Sequence, residues 1–317
     1  MANCSNGQTF QMNILFSSDD NYARHMCVAM ISILQHNREV ERIRFYVINN
    51  QITPSNLEKL LLAVNDYDNA EISFIPFEYI KKQLHLNLSW PISLSSYARL
   101  FVGEVLPVEV ERVLYLDCDV VVNGSLFDLW NTDLHGKCIG AIQDTIPSRT
   151  KASVGMSSKQ PYFNAGVLLI DLKQWRQDSI GKKCLNFIDS YSGCVTHHDQ
   201  GVLNGVLNGQ WKRLSLKYNV MTIHYLMSQS KIRRYYKDEA PYYDDLAINE
   251  AIKKPIIIHF TPSFTSRPWE ENCCHPLRDC YSRVLVISPW SDSPLMRDMT
   301  PWYVRLINWR YRFFPVL

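Results

Sequence analysis

The sequence predicts an α/β layered fold, a mixed and mostly parallel sheet flanked by helices, with a small C-terminal appendage. Two observations carry that expectation. Short apolar or alternating runs recur along the first half of the chain, and stretches with helical spacing of apolar residues separate them. Strands joined by connections of that length need crossovers, which align neighbours in parallel and lay helices on the sheet faces.

The first run, 12–17 (MNILFS), stops at Asp19, Asp20 and Asn21. Behind it Ala23, Met26, Cys27, Met30, Ile33 and Leu34 share one helical face. A second strand is expected at 43–48 (IRFYVI). Thr53 and Pro54 then read as an N-cap and first turn, leading into Leu57, Leu60, Leu61 and Val64. Residues 71–77 (EISFIPF) alternate as a third strand, and 113–116 (VLYL) form a buried fourth. Further strands fit 139–142, 166–170 and 256–260, and helices fit 173–191 and the stretch from about Asp199. From about Trp269 the periodicity fades, so the chain divides into a main domain, 1–270, and an appendage, 271–317. Its last stretch, 299–317, mixes Trp302, Tyr303, Trp309, Tyr311, Phe313 and Phe314 with Arg305, Arg310 and Arg312. That pattern suits a helix packing its aromatics on the domain, or a basic-aromatic surface resting on anionic lipid.

At 317 residues the chain can bury a sizeable core. A net charge of +2 gives no reason to expect nucleic acid as the partner. Nine cysteines, an odd count with no short disulfide framework, fit a reducing compartment and hence the cytoplasm. Cys273, Cys274, His275 and Cys280 invite a zinc reading, but their spacing matches no common finger. No signal peptide and no spanning apolar stretch is expected, leaving a soluble protein or one attached to a membrane from one side.

Chemistry is expected first at Asp117-Cys118-Asp119, directly after VLYL. Open α/β sheets place their sites at the carboxyl ends of strands. Where the chain bends there, both carboxylates can turn toward one hard cation, Mg²⁺ or Mn²⁺, which can bridge nucleotide phosphates. The bland alternative is a solvated turn. His259, at the end of Ile256-Ile257-Ile258, is either a satisfied core histidine or a third ligand, and Arg267-Pro268-Trp269 follows closely. Asp199 is either an N-cap or, with Gln200, a polar pair directed into a cleft. Asn164, just before a buried strand, either shapes a turn or faces the same cleft.

These residues lie in six motifs that resemble, in order, the bacterial branch of glycosyltransferase family 8. They are FSSDDNYA (16–23), SSYARL (95–100), VLYLDCDVVV (113–122), YFNAGVLLIDL (162–172), HDQGVLNG (198–205) and HFTPSFTSRPW (259–269). The resemblance implies a GT-A nucleotide-sugar-binding fold and a retaining transfer of galactose or glucose from a UDP-sugar. It implies Mn²⁺, with Mg²⁺ as the alternative, held by Asp117, Asp119 and His259. Ser17, Asp19, Asn21 and Tyr22 would surround the nucleoside. Arg99, Asp144, Asn164, Ala165, Asp199 and Gln200 would surround the donor sugar. Asp117 and the backbone at Cys118 would also touch the donor, and Arg267 would face the diphosphate. Gln200 and Asp199 are the expected catalytic residues, Gln200 stabilising the cationic sugar during front-side attack by the acceptor. The acceptor would be an oligosaccharide or lipid-linked glycan of a bacterial surface (lipopolysaccharide, capsule or O-antigen), with peripheral contact at the cytoplasmic face of the inner membrane.

Two departures stand out. Pro262 replaces the family's usual glycine three residues after the histidine, and Arg267 stands in place of a lysine. Arginine grips phosphate bidentately and is not interchangeable with lysine. They are the grounds for a rival reading, a nucleotide-sugar-binding protein with little or no transferase activity.

Overall fold

The computed structural model describes residues 10–86, 94–262, 265–298, 302–303 and 305–306. Ten strands are described: β1 Gln11–Asp19, β2 Arg42–Asn50, β3 Ala70–Pro76, β4 Arg112–Leu116, β5 Val120–Val122, β6 Ile139–Asp144, β7 Tyr162–Asp171, β8 Lys212–Arg213, β9 Val220–Met221 and β10 Ile257–His259. Seven form a large sheet ordered β3-β2-β1-β4-β7-β6-β8, and three form a small sheet ordered β5-β10-β9. In the large sheet β3, β2, β1 and β4 run parallel, as do β6 and β8. β7 is antiparallel to both its neighbours.

The layering follows from the period of two along buried strands. Ile14 and Phe16 of β1, Leu114 and Leu116 of β4, and Val167 and Leu169 of β7 pack into one core with the helices Ala23–His36 and Pro54–Asn65. Their sequence neighbours Leu15, Val113, Tyr115, Leu168 and Ile170 point the other way. They meet the helices Leu172–Gln177, Ile180–Ser190 and His198–Leu207. Each such fully buried side chain contributes about 1.5–3 kcal/mol before entropy is counted. A charge on either face of β1 or β4 would therefore disrupt a core.

The expected helix start at Thr53 is present, with its side chain accepting from Asn56 N–H beside Pro54 at the first turn. The helix expected over 173–191 is two helices. Ser179 takes a left-handed backbone (φ 53°), which no right-handed helix can continue. Asp178 and Ser179 also have side chains that compete for backbone groups, which weakens helix continuation. The break lets Ile180, Cys184 and Ile188 turn into the second core.

Residues 271–298 pack on the main core through the helix Arg278–Leu285, where Tyr281 and Val284 are buried and Tyr281 Oη lies 2.7 Å from His25 Nδ1. Of the expected tail 299–317, Trp302, Tyr303, Arg305 and Leu306 are described and exposed, and the remainder lies outside the described residues. Among the described residues no helix is long and apolar enough to cross a membrane.

Candidate active site at the seam of the two sheets

β4 belongs to the large sheet and β5 to the small one, so Asp117-Cys118-Asp119 is the bend between them. Asp117 N–H still donates to Gly166 O on β7 (2.8 Å), while Asp119 O already accepts from Phe260 N–H beyond β10 (2.9 Å). That change of partner lets both carboxylates converge rather than alternate. Cys118 is buried, its thiol toward Ser17 O at 3.4 Å. β10 brings His259 to the same point. His259 Nε2 lies 3.1 Å from Asp119 Oδ1 and 3.9 Å from Asp117 Oδ2.

These donors suit a divalent cation. One ligand atom from each of Asp117, Asp119 and His259 lies within 4.8 Å of the others, and no other such cluster occurs among the described residues. Ligands about 2.1 Å from an octahedral ion, at right angles to one another, lie about 3 Å apart. The space itself depends on Gly166. A Cβ there would fall 2.3 Å from His259 Cε1 and 2.7 Å from Asp117 Oδ2. Cys273, Cys274 and Cys280 are free thiols and join no cluster of this kind.

The side chains of the triad act on one another's charge, Asp119 and His259 each favouring the charged form of the other. Burial opposes ionisation of Asp119, yet His259 and Arg267 outweigh it and keep the carboxyl well below the usual carboxylate range. Burial likewise disfavours a charged His259, and Asp119 and Asp117 overcome that to raise its pKa. Arg267 Nη2 lies 3.2 Å from Asp119 Oδ2, so the arginine reaches the site despite the altered loop. Asp117 is held by Arg99 Nη2 at 2.7 Å and by Tyr115 Oη at 3.1 Å.

Arg99 links this charged side to an adjoining polar one. Its Nε lies 2.9 Å from Asp199 Oδ2, and its Nη1 donates to Ala165 O. The N-cap alternative for Asp199 does not hold. His197 occupies the cap, and His197 and His198 both take left-handed backbone (φ 60° and 53°), which turns the Asp199 carboxylate inward. Gly201 makes that entry feasible, since a Cβ would lie 1.9 Å from Thr196 O. Burial raises the pKa of Asp199, against the pull of Arg99.

Asn164, Asp144 and Gln200 complete a network of amides around one carboxylate. Asp144 Oδ2 faces Asn164 Nδ2 at 3.3 Å and Gln200 Nε2 at 3.2 Å. Gln200 Oε1 accepts from Ala165 N–H at 3.0 Å. Asn164 Oδ1 accepts from Gly166 N–H within its own strand, and also from Asn219 Nδ2 at 2.8 Å. Burial raises the pKa of Asp144, with Asn164, Thr145 N–H and Gln200 acting against it. Three carboxylates, Asp117, Asp119 and Asp199, thus face two guanidiniums, Arg99 and Arg267, an imbalance that a cation would offset.

A cleft of about 220 Å³ opens beside Asp117 and Asp119 and is lined by Ser17, Asp19, Tyr22, Ser95, Ser96, Arg99 and Cys118 among others. Ser17 Oγ is buried on its wall without a hydrogen-bond partner. Asp19 caps the turn that follows by accepting from Tyr22 N–H, and Asn21 in that turn is exposed. Sequence reasoning missed Asn219, whose Oδ1 lies 2.9 Å from His259 Nδ1, and Tyr115. Asn219 carries no signal beyond being an asparagine before two apolar residues. Tyr115 was visible only as one of the apolar positions of VLYL.

The profile described as "Glycosyl transferase family 8" matches residues 13–273. General stress protein A of Bacillus subtilis (strain 168) is 28% identical over 288 residues, 88% of this chain and 95% of that protein. Lipopolysaccharide 1,2-glucosyltransferase of Escherichia coli (strain K12) is 28% identical over 285 residues, covering 89% and 79%. Among solved structures, galactosyltransferase LgtC in complex with donor and acceptor sugar analogues superposes with a TM-score of 0.70. It is 27% identical, with 93% of this chain and 100% of that one covered.

Proposed function

The chain belongs to glycosyl transferase family 8, and from that premise we propose that it is a retaining, Mn²⁺-dependent hexosyltransferase using UDP-galactose or UDP-glucose. One observation carries the reading. A carboxylate–carboxylate–imidazole triad adjoins a buried polar network of Asp144, Asn164 and Gln200, with Asp117 and Asp119 beyond the carboxyl end of β4 in a mostly parallel sheet. The acceptor in this reading is a glycan of a bacterial surface, made on the cytoplasmic side.

Asp117, Asp119 and His259 would hold the cation, which supplies positive charge to the diphosphate when bound. Arg267, already against Asp119, adds a second positive charge on the same side. Ser17, Asp19, Asn21 and Tyr22 receive the nucleoside along the cleft beside Asp117. Arg99, Asp144, Asn164, Ala165, Asp199 and Gln200 hold the hexose hydroxyls. Asp199 is fixed against Arg99, which removes it as a free nucleophile. The Gln200 carbonyl is weakly basic and already accepts from Ala165 N–H, so it acts as a fixed dipole facing the cationic sugar. Retention then follows from attack on the face the diphosphate leaves. The acceptor oxygen bonds to the anomeric carbon as the phosphate oxygen departs and takes the acceptor proton.

Incubation with UDP-glucose and with UDP-galactose, each with and without Mn²⁺, tests the proposal by release of UDP. Mn²⁺-dependent release from at least one donor is expected. Donor binding without release from either would favour the binding-protein reading instead.

A further inference from the structure

Asn219 is fully buried, lies outside all six motifs, and ends the turn Leu216–Tyr218 before β9. β9 runs parallel to β10, the strand that carries His259. The Asn219 amide stands between two site residues. Its Oδ1 is 2.9 Å from His259 Nδ1, and its Nδ2 is 2.8 Å from Asn164 Oδ1.

The direction of these bonds is set by the main chain. Gly166 N–H can only donate, and it donates to Asn164 Oδ1 at 3.0 Å. The Asn164 atom at that point is therefore an oxygen, and the Asn219 atom facing it must be the NH₂ group. The Asn219 carbonyl oxygen then faces His259, so Nδ1 must carry its hydrogen. In the neutral ring this leaves the lone pair on Nε2, the nitrogen that faces Asp119 at 3.1 Å. One backbone N–H on β7 thus selects a histidine tautomer on β10 through two amides. On its other side Asn164 reaches Asp144 and Gln200, at 3.3 and 3.4 Å.

We infer that Asn219 is a positioning residue that holds His259 in its metal-facing tautomer and ties that imidazole to the sugar-side amides through Asn164. The inference rests on the metal reading of the triad. Its two halves separate chemically. Asn219→Leu removes both bonds and leaves His259 and Asn164 without this buried partner. Asn219→Asp keeps an oxygen toward His259 Nδ1 but sets its second oxygen against Asn164 Oδ1, two acceptors face to face.

The test is Mn²⁺ binding to the full chain without donor, followed by electron paramagnetic resonance, alongside kcat and KM for UDP release and thermal unfolding. Asn219→Leu is expected to weaken Mn²⁺ binding about 10- to 100-fold, the usual effect of losing a partner that orients a ligand. Asn219→Asp is expected to bind Mn²⁺ within about threefold of the native chain, because the histidine keeps its acceptor, while kcat falls. A folded Asn219→Leu chain with native Mn²⁺ affinity would overturn the inference. So would a folded Asn219→Asp chain that loses Mn²⁺, and this second variant decides the matter if the leucine chain does not fold. A native chain that binds no Mn²⁺ would instead overturn the metal reading beneath it.

Discussion

The two sides of Gly166 are built on different principles. On one, Asp117, Asp119, His259 and Arg267 are charged groups crowded at strand ends and held by compensation among themselves. On the other, the neutral amides of Asn164 and Gln200 satisfy one another, the backbone and the Asp144 carboxylate through hydrogen bonds. In the proposed reading a cation completes the charged side. The amide side is nearly satisfied as it stands, so it presents a pre-set surface whose cost is met on folding. Damage to the first should therefore appear as lost metal affinity, and damage to the second as lost turnover.

Gly166 is where the two sides meet, and substituting it should have the larger effect. In Gly166→Ala the new methyl collides with His259 and Asp117 at distances no relaxed contact allows. Overpacking of this kind costs about 1–3 kcal/mol, which a chain of this size can tolerate. Displacing ligands by a fraction of an ångström should nevertheless lower both Mn²⁺ affinity and kcat/KM, the latter by about 10²-fold or more. Near-native values for both would mean the cradle is not the metal site. Gln200→Ala sharpens the contrast from the other side. It leaves Ala165 N–H and Asp144 short of a partner, and kcat should fall by about 10²-fold. The Gln200 side chain hydrogen-bonds Asp144, Asn164 and Ala165 N–H rather than the triad, so Mn²⁺ affinity should be unchanged. A parallel loss of metal would show that the two sides do not separate.

Much of this was legible in the sequence, for physical reasons that also mark the limits. The parallel strands β1 to β4 are long or fully buried, and their apolar runs stand out. β5, β8, β9 and β10 span two or three residues each, too short for any period to register, although the apolar run at 256–260 marked β10. The pairing of the small sheet was thus invisible, and with it the reason that Asp117 and Asp119 converge. His259 was ambiguous for the same reason. It is buried like a core histidine, and only the third dimension reveals two carboxylates at its Nε2. Asn219 could not be found at all, because its role depends on an oxygen and a nitrogen facing opposite ways between two distant strands. The loop change at Pro262 and Arg267 raised doubt about the phosphate side. In the structure the Arg267 guanidinium lies against Asp119.

The claim on which the rest depends is that Asp117, Asp119 and His259 hold one divalent cation in the working protein. A Mn²⁺ titration of the native chain and of Asp119→Asn, read by electron paramagnetic resonance with UDP present, addresses it directly. The account predicts one tightly held ion per native chain, and in the variant an affinity at least about tenfold weaker, as expected on losing a charged ligand. Equal binding by the two chains would contradict it.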